Sequence, residues 1–471
     1  MWPKENPPLP LPARDVRFPS YEVKTLSNGL QVTAVLHHEQ PVVTIRLLVS
    51  AGGANDPENT PGVASLLSRL LDQGTTTRTA EEIADTIDSI GGIIAVGAGV
   101  DLSFASIIVM KDSFELAMTL VADIVRRPAL AAEEIERQRQ QMRSGLTVSN
   151  DDPGYVAGIV FSRLVYGLHP YGRPLNGTPQ SLRAITRDDL RAFHETYFAP
   201  NNSVLAVVGD VTAEEAFEAA ERAFGDWPRR ELPVVPWTDP PRPAHRVIVI
   251  DRPGAVQTAI RVGQIGVSRM NPDFMSLGLA LRVLGGEGSN RLQQVLRSER
   301  GLTYSASAQM TARKHGGDFM GETDTRSDAT AEVLRLMVDE FSRLQRDRVG
   351  RRELGNAQAY LAGSFPLTIE TPNAIASQVL NSLFFGLELG ELETFGERVN
   401  AVTVNDIQRV ARSYLKPDRL SIVMVGDAST FVGDLAGVGF RTYELVPIDE
   451  LDLSSVDFRR PQASEVPGAQ R

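Results

Sequence analysis

Ser65, Ser68 and Arg69 stand at positions i, i+3 and i+4 of one stretch, so on a helix they share a face. Two imidazoles and a carboxylate in that arrangement would make a hydrolytic metal centre, the imidazoles holding zinc and the carboxylate taking a proton from the attacking water. Two hydroxyls and a guanidinium supply none of this, and a permanent cation at Arg69 repels a metal ion. The six histidines, His37, His38, His169, His194, His245 and His315, offer no replacement. None forms an i, i+4 pair, and the neighbours His37 and His38 point to opposite faces of a strand. Surface or packing roles are expected of them. Gly285-Gly286-Glu287-Gly288 lacks the Lys-Ser/Thr of a P-loop and the G-x-G-x-x-G spacing, which leaves a loop before a helix. Arg297 and Arg300 precede Gly301, where a capped helix ends and cations meet the negative end of its dipole. That reading accounts for both arginines without chemistry. It does not account for Tyr304.

The segment carrying the Ser-Ser-Arg face reads as an amphipathic helix. Thr60 is the expected N-cap, Pro61 the first helical residue and Gly74 the stop, with Val63, Leu66, Leu67, Leu70 and Leu71 as the buried stripe. Ahead of it, Tyr21–Leu26 and Leu30–Val35 flank Asn28-Gly29, a hairpin signal, and Val42–Ser50 reads as a third strand. Thr79 and Glu82 form a capping box for a helix that ends at Gly91-Gly92. Two strands are expected over 93–110, helices over Ser113–Arg126 and Glu133–Val148, further helices over 152–198, a buried strand at Ser203–Asp210 and a helix at Ala213–Phe224.

A chain of 471 residues is too long for one ordinary core, and 42% hydrophobic with 23% charged residues is typical of globular protein. A net charge of −11 argues against general nucleic-acid binding. The absence of cysteine excludes disulfides, thiolate zinc sites and cysteine nucleophiles. No run of about 18 apolar residues is present, so no membrane span is expected. Met1–Pro8 lacks the apolar core of a signal peptide. The expectation is a soluble protein, in the bacterial periplasm if a leader was removed and otherwise in the cytoplasm.

Prolines 228, 233, 236, 240, 241 and 243 remove so many backbone donors that neither sheet nor helix can continue there, and the stretch reads as a linker. Beyond it the chain repeats. Ile185-Thr186-Arg187-Asp188-Asp189-Leu190 and Ser203–Asp210 match Val402-Thr403-Val404-Asn405-Asp406-Ile407 and Leu420–Asp427 at a constant offset of 217. That period means two domains of one fold. The expected organisation is an extended Pro-rich segment at 1–20, a first domain at 21–227, a linker at 228–244, a second domain at 245–451 and a loosely held tail at 452–471. Strands, then helices, then strands again in each half argue for α+β, each domain an antiparallel-rich sheet packed by helices.

In their order and spacing these stretches resemble the pitrilysin-type inverzincin metallopeptidases, over nearly the whole chain. Asn28-Gly29-Leu30 matches the family's opening N-G-L, and the Pro61-Gly62 helix matches the segment bearing H-x-x-E-H. Gly74-Thr75, Thr79–Ile83, Gly91-Gly92, Asp151-Asp152-Pro153 and His169-Pro170-Tyr171-Gly172 follow as landmarks. Leu284-Gly285, Ser289–Leu292 and Leu296–Tyr304 resemble the family's segment ending R-G-L-x-Y.

The resemblance implies a vacated zinc site. Ser65, Ser68 and Arg69 stand where the family has its first His, its general-base Glu and its second His. Gly145 stands for the third ligand, a Glu, and Gln138 for a supporting Glu. No cofactor is therefore expected on this chain, and zinc is expected on a homologous partner subunit that carries H-x-x-E-H. In heterodimeric members the other subunit supplies an Arg/Tyr pair, which Arg297 and Tyr304 match. The resemblance thus implies half of a clamshell-shaped chamber for peptide substrates, belonging to a non-zinc subunit of a heterodimeric peptidase. The alternative is a structural or interaction subunit with no catalytic role; an autonomous metallopeptidase is disfavoured by the missing ligands.

Overall fold

In the computed structural model the described residues are 18–234, 239, 245–286 and 290–460. Most of the expected N-terminal segment, positions 235–238 and 240–244 of the linker, residues 287–289 of the glycine-rich loop and 461–471 of the tail lie outside them.

The first half runs β1 (Tyr21–Thr25), β2 (Gln31–Leu36), β3 (Val42–Val49), α1 (Val63–Ser68), α2 (Ala80–Ser89), β4 (Ile93–Ala98), β5 (Ser103–Met110), α3 (Phe114–Arg126), α4 (Ala132–Asn150), α5 (Pro153–Tyr166), α6 (Pro179–Ala184), α7 (Arg187–Tyr197), β6 (Ser203–Gly209) and α8 (Ala213–Phe224). Its sheet has the order β1-β2-β6-β3-β5-β4, with β2 and β6 parallel and the other pairs antiparallel. Gly29 takes φ +91° in the β1–β2 turn, and the Asn28 carboxamide donates to Phe224 O at 2.7 Å, tying the hairpin to the end of α8.

The second half runs β7 (Arg246–Asp251), β8 (Gln257–Ile265), α9 (Phe274–Gly285), α10 (Arg291–Gln293), β9 (Thr303–Ala312), β10 (Gly317–Arg326), α11 (Thr330–Arg346), α12 (Arg351–Ser364), α13 (Pro372–Phe384), α14 (Gly390–Glu393), α15 (Phe395–Ala401), α16 (Val404–Tyr414), β11 (Ser421–Gly426), α17 (Val432–Leu435) and β12 (Glu444–Pro447). Its sheet, β12-β7-β11-β8-β10-β9, repeats the plan over five strands, with a parallel pair β7–β11 where the first has β2–β6; the edge strand β12 follows β11 in the chain and runs parallel to β7, where β1 is antiparallel to β2. The repeat extends to the caps: Thr186 and Asp189 form a capping box on α7, and Thr403 and Asp406 form one on α16. The fold class is α+β, two like halves with mixed sheets.

The halves exchange helices. The α5 residues Val156, Val160 and Phe161 pack on Ile248, Ile250, Val423 and Val425 of the second sheet. In return, Ile375, Val379 and Leu380 of α13 pack on Val35, Leu48, Ala206 and Val208 of the first. Both faces of each central strand are thus covered, which explains why β6 and β11 read as near-continuous apolar runs. Gly263 on β8 makes room for this contact, since a Cβ there would lie 2.9 Å from the Phe161 ring.

Two expectations are corrected. Residues 452–460 are not loosely held: Phe458 is fully buried against α5, and Arg163 donates to Leu453 O at 2.8 Å and Ser455 O at 3.0 Å. The first helix is shorter than its stripe implies, for reasons that lie at the site. Among the described residues no helix is long and apolar enough to cross a membrane.

Candidate functional site

The N-terminus of α1 is capped from outside the helix, by a residue of the preceding loop. Asp56 is 4% exposed. Its Oδ2 accepts from Gly62 N at 2.6 Å and its Oδ1 from Ala64 N at 2.8 Å, satisfying amides the helix leaves orphaned. Burial pushes the Asp56 carboxyl up to about 7, against the opposing pull of the Ala64 and Gly62 amides and the Arg173 cation. Gly62, at φ +103°, takes the N-cap position in place of the expected Thr60. No other residue type fits well there, because a Cβ would meet Gly177 at 3.1 Å. The helix ends at Ser68, not near Gly74. Beyond it the chain tightens to i→i−3 bonds, Leu70 N to Leu67 O at 2.9 Å and Gln73 N to Leu70 O at 3.1 Å.

On this short helix the three expected positions separate. Ser65 and Ser68 are buried. Ser65 Oγ donates to Asn176 Oδ1 at 3.2 Å and Ser68 Oγ to Ser65 O at 2.9 Å. Arg69 is exposed at the C-cap. Gln138 is buried on α4, while Gly145, two turns on, is exposed with open space around it. These are two engaged hydroxyls, a guanidinium, a carboxamide and a residue without a side chain. Such a donor set does not fit zinc, which takes imidazole, thiolate or carboxylate. Among the described residues no group of three His, Cys, Asp or Glu could hold a metal ion. The histidines are used locally: His38 Nδ1 pairs with Asp210 Oδ1 at 2.6 Å, and the buried His194 places Nε2 2.7 Å from Val125 O.

Arg297 and Tyr304 are brought together. Asn290 caps α10, its Oδ1 accepting from Gln293 N at 2.7 Å. The chain then widens into a π-helical turn, Gln294–Glu299, which carries Arg297. Gly301, at φ +62°, reverses the chain, and Leu302 N returns to Leu296 O at 2.8 Å. Gln293 Oε1 accepts from Ala306 N at 3.0 Å and so registers the turn on β9. The outcome sets the Arg297 guanidinium 4.8 Å from the centre of the Tyr304 ring, a cation–π pair. Tyr304 is 84% exposed. Arg300 instead pairs with Glu332 at 3.1 Å, and Arg291 holds Glu353 through two bonds of 2.8 and 3.1 Å. Arg297 makes no ion pair or side-chain hydrogen bond with any described residue. A solvent-facing guanidinium and phenol on one hydrogen-bonded turn can together grip a peptide carbonyl and donate to a developing oxyanion.

Asp56 and Asn176 escaped sequence reasoning. Each acts on α1 across a loop, Asn176 from 111 positions away, and no local spacing marks either.

Residues 32–178 match the family described as insulinase (peptidase family M16), and 184–361 match the peptidase M16 inactive domain. An uncharacterized zinc protease of Mycobacterium leprae is 28% identical over 399 residues, which are 83% of this chain and 88% of that protein. One of Bacillus subtilis is 23% identical, with coverage of 82% and 93%. A crystal structure of a peptidase M16 inactive domain from Pseudomonas fluorescens superposes with a TM-score of 0.82 at 29% identity, covering 86% of this chain and 98% of that one. A protease from Helicobacter pylori shares the fold, with a TM-score of 0.80 at 22% identity over 86% of this chain and 99% of that one.

Proposed function

The chain belongs to peptidase family M16, and from that premise we propose that it is the non-zinc subunit of a heterodimeric zinc endopeptidase. It contributes half of a clamshell chamber for peptide substrates and sets Arg297 and Tyr304 beside the zinc site of a homologous partner that carries H-x-x-E-H. The observation that carries this reading is the Arg297–Tyr304 pair itself, solvent-facing and engaged only with each other at 4.8 Å, in a chain whose positions aligned with the family's zinc ligands hold none. In this role Arg297 binds a carbonyl of the substrate backbone. The Tyr304 hydroxyl donates to the oxyanion that forms when the peptide carbonyl is attacked. Both groups act on substrate and neither requires a metal on this chain.

The test is reconstitution. The chain alone is expected to hold no stoichiometric zinc and to cleave no peptide. Activity is expected when it is mixed with a family member bearing intact ligands. One zinc per isolated chain, or peptide cleavage by it alone, overturns the proposal. A complex whose activity ignores substitution of both Arg297 and Tyr304 would assign the chain a structural role instead.

A further inference from the structure

We infer that a cavity in the second half binds the C-terminal residue of a peptide, with the terminal carboxylate on Arg269 and an apolar last side chain among Phe365, Phe385 and Leu392. The cavity measures about 330 Å³ and lies between α13 and the segment bearing α14 and α15, within the ~300–1,000 Å³ of ordinary ligand clefts. Its charge arrangement is uneven. Two arginines line it, and Arg398 is taken by an ion pair with Glu391. The Arg269 side chain stacks on the Phe274 ring at 4.2 Å and makes no hydrogen bond or ion pair with any described residue, although the Glu391 carboxylate on the same cavity wall attracts it at longer range. A half-buried guanidinium left this way is costly unless an anion completes it. Burial holds its pKa below the usual arginine value, with Arg398 adding to the depression and Glu391 only partly opposing it.

The rest of the lining selects among anions. The three apolar side chains favour a hydrophobic body over a phosphate or sulfate. The carboxamides of Gln378 and Asn381 line the same cavity and form no hydrogen bond with any described residue. A peptide's backbone amide would use them; a fatty acid would leave them idle. The inference shares with the proposed function only the assumption that peptides are the ligands. Its test needs neither zinc nor a partner, so failure here leaves the heterodimer reading untouched.

The experiment is calorimetric titration of the isolated chain with N-acetyl-Gly-Leu-Phe as the free acid, as its C-terminal amide, and with 4-phenylbutyrate. The acid is expected to bind at least about tenfold tighter than the amide, as a charge-assisted pair requires. Phenylbutyrate is expected to bind more weakly than the peptide acid, because it carries no amide. Arg269→Gln is expected to erase the difference between acid and amide, whereas Arg269→Lys keeps part of it. Equal binding of acid and amide, or no binding of either, overturns the inference. Phenylbutyrate binding as tightly as the peptide removes the peptide assignment. The acid–amide comparison uses the unaltered chain, so it decides the matter even if Arg269→Gln fails to fold.

Discussion

Tyr166, at the end of α5 in the first half, donates its hydroxyl to Asp318 Oδ1 of β10 in the second at 2.8 Å. Arg313 approaches the same oxygen at 3.4 Å and lies 5.3 and 5.1 Å from the rings of Tyr166 and Tyr171. Burial raises the pKa of Asp318, and the Arg313 cation opposes that rise. This is the polar core of the contact between the halves, and Tyr166 is its neutral donor. Tyr166→Phe removes the hydrogen bond and leaves a buried carboxylate oxygen under-satisfied, at about 1–3 kcal/mol. The expected outcome in urea denaturation is a lower midpoint with an unchanged slope. An unchanged midpoint would mean that Arg313 alone suffices for Asp318.

Two other buried carboxylates respond to pH in opposite ways. Asp56, pushed up to about 7, keeps its proton in the folded chain at pH values where the unfolded chain has lost it near about 4. Across that window the folded state binds more protons, so stability falls as pH rises and the loss is complete above about 7. Asp123 behaves the other way. Burial alone would raise it, but Thr75, Thr77, Arg78 and Arg127 all donate to it and hold it below the ordinary carboxylate range. Its contribution is present above about 4 and is lost only in stronger acid. Melting temperatures at pH 5, 6, 7 and 8 should therefore fall with pH in the parent chain. The fall should be smaller in Asp56→Asn; parallel pH profiles would deny the elevated carboxyl.

Local features were legible wherever one stretch settles them. The Asn28-Gly29 hairpin and the Thr79–Glu82 box depend on residues within a turn of one another, and each formed as its spacing implied. Arg297 and Tyr304 were singled out together by the family resemblance, since the local pattern explained a helix-end cation and left Tyr304 without a reason; the structure sets the two side chains 4.8 Å apart. What the periodicity could not say is which surface a stripe covers. The apolar face of α5 marks burial, but only the tertiary fold puts it on the other half's sheet. Thr60 is a better N-cap by type than Gly62, yet Asp56 supplies the capping oxygens from outside the helix, which frees that position for a glycine packed on Gly177.

On the proposed function, Arg297 and Arg300 should separate function from stability within one turn. Arg300 is paired with Glu332 on the surface, both side chains about half exposed, so Arg300→Ala should cost ~0–1 kcal/mol of stability and leave activity of the reconstituted complex near that of the parent. Arg297→Ala should do the reverse, lowering turnover by more than about tenfold with little change in melting temperature. Tyr304→Phe should lower kcat more than it changes KM, since the hydroxyl is needed at the oxyanion stage. Equal effects of the two arginine substitutions on turnover would return both to the role of helix-end cations.

Of the positions that the family resemblance aligns with zinc ligands, the two serines are enclosed, whereas Arg69 and Gly145 face solvent. Ser65 and Ser68 are 4% and 2% exposed, and Ser65 is held by Asn176 from the loop beside Gly177, which itself packs on Gly62. An imidazole at position 65 has to displace that loop, so Ser65→His should destabilise the chain by about 1–3 kcal/mol through overpacking. Arg69→His, at an exposed C-cap, should change stability by no more than about 0.5 kcal/mol. Restoring the whole set, Ser65→His, Ser68→Glu, Arg69→His, Gln138→Glu and Gly145→Glu, is then expected to give a less stable chain with well below one zinc per molecule by elemental analysis. The reason is that Asn176 and Gly177 pack directly on Ser65 and Gly62, which leaves an imidazole at position 65 no room without moving that loop. A substituted chain holding one zinc at undiminished stability would show that the fold accepts a metal at these positions and that the serine packing does not prevent it.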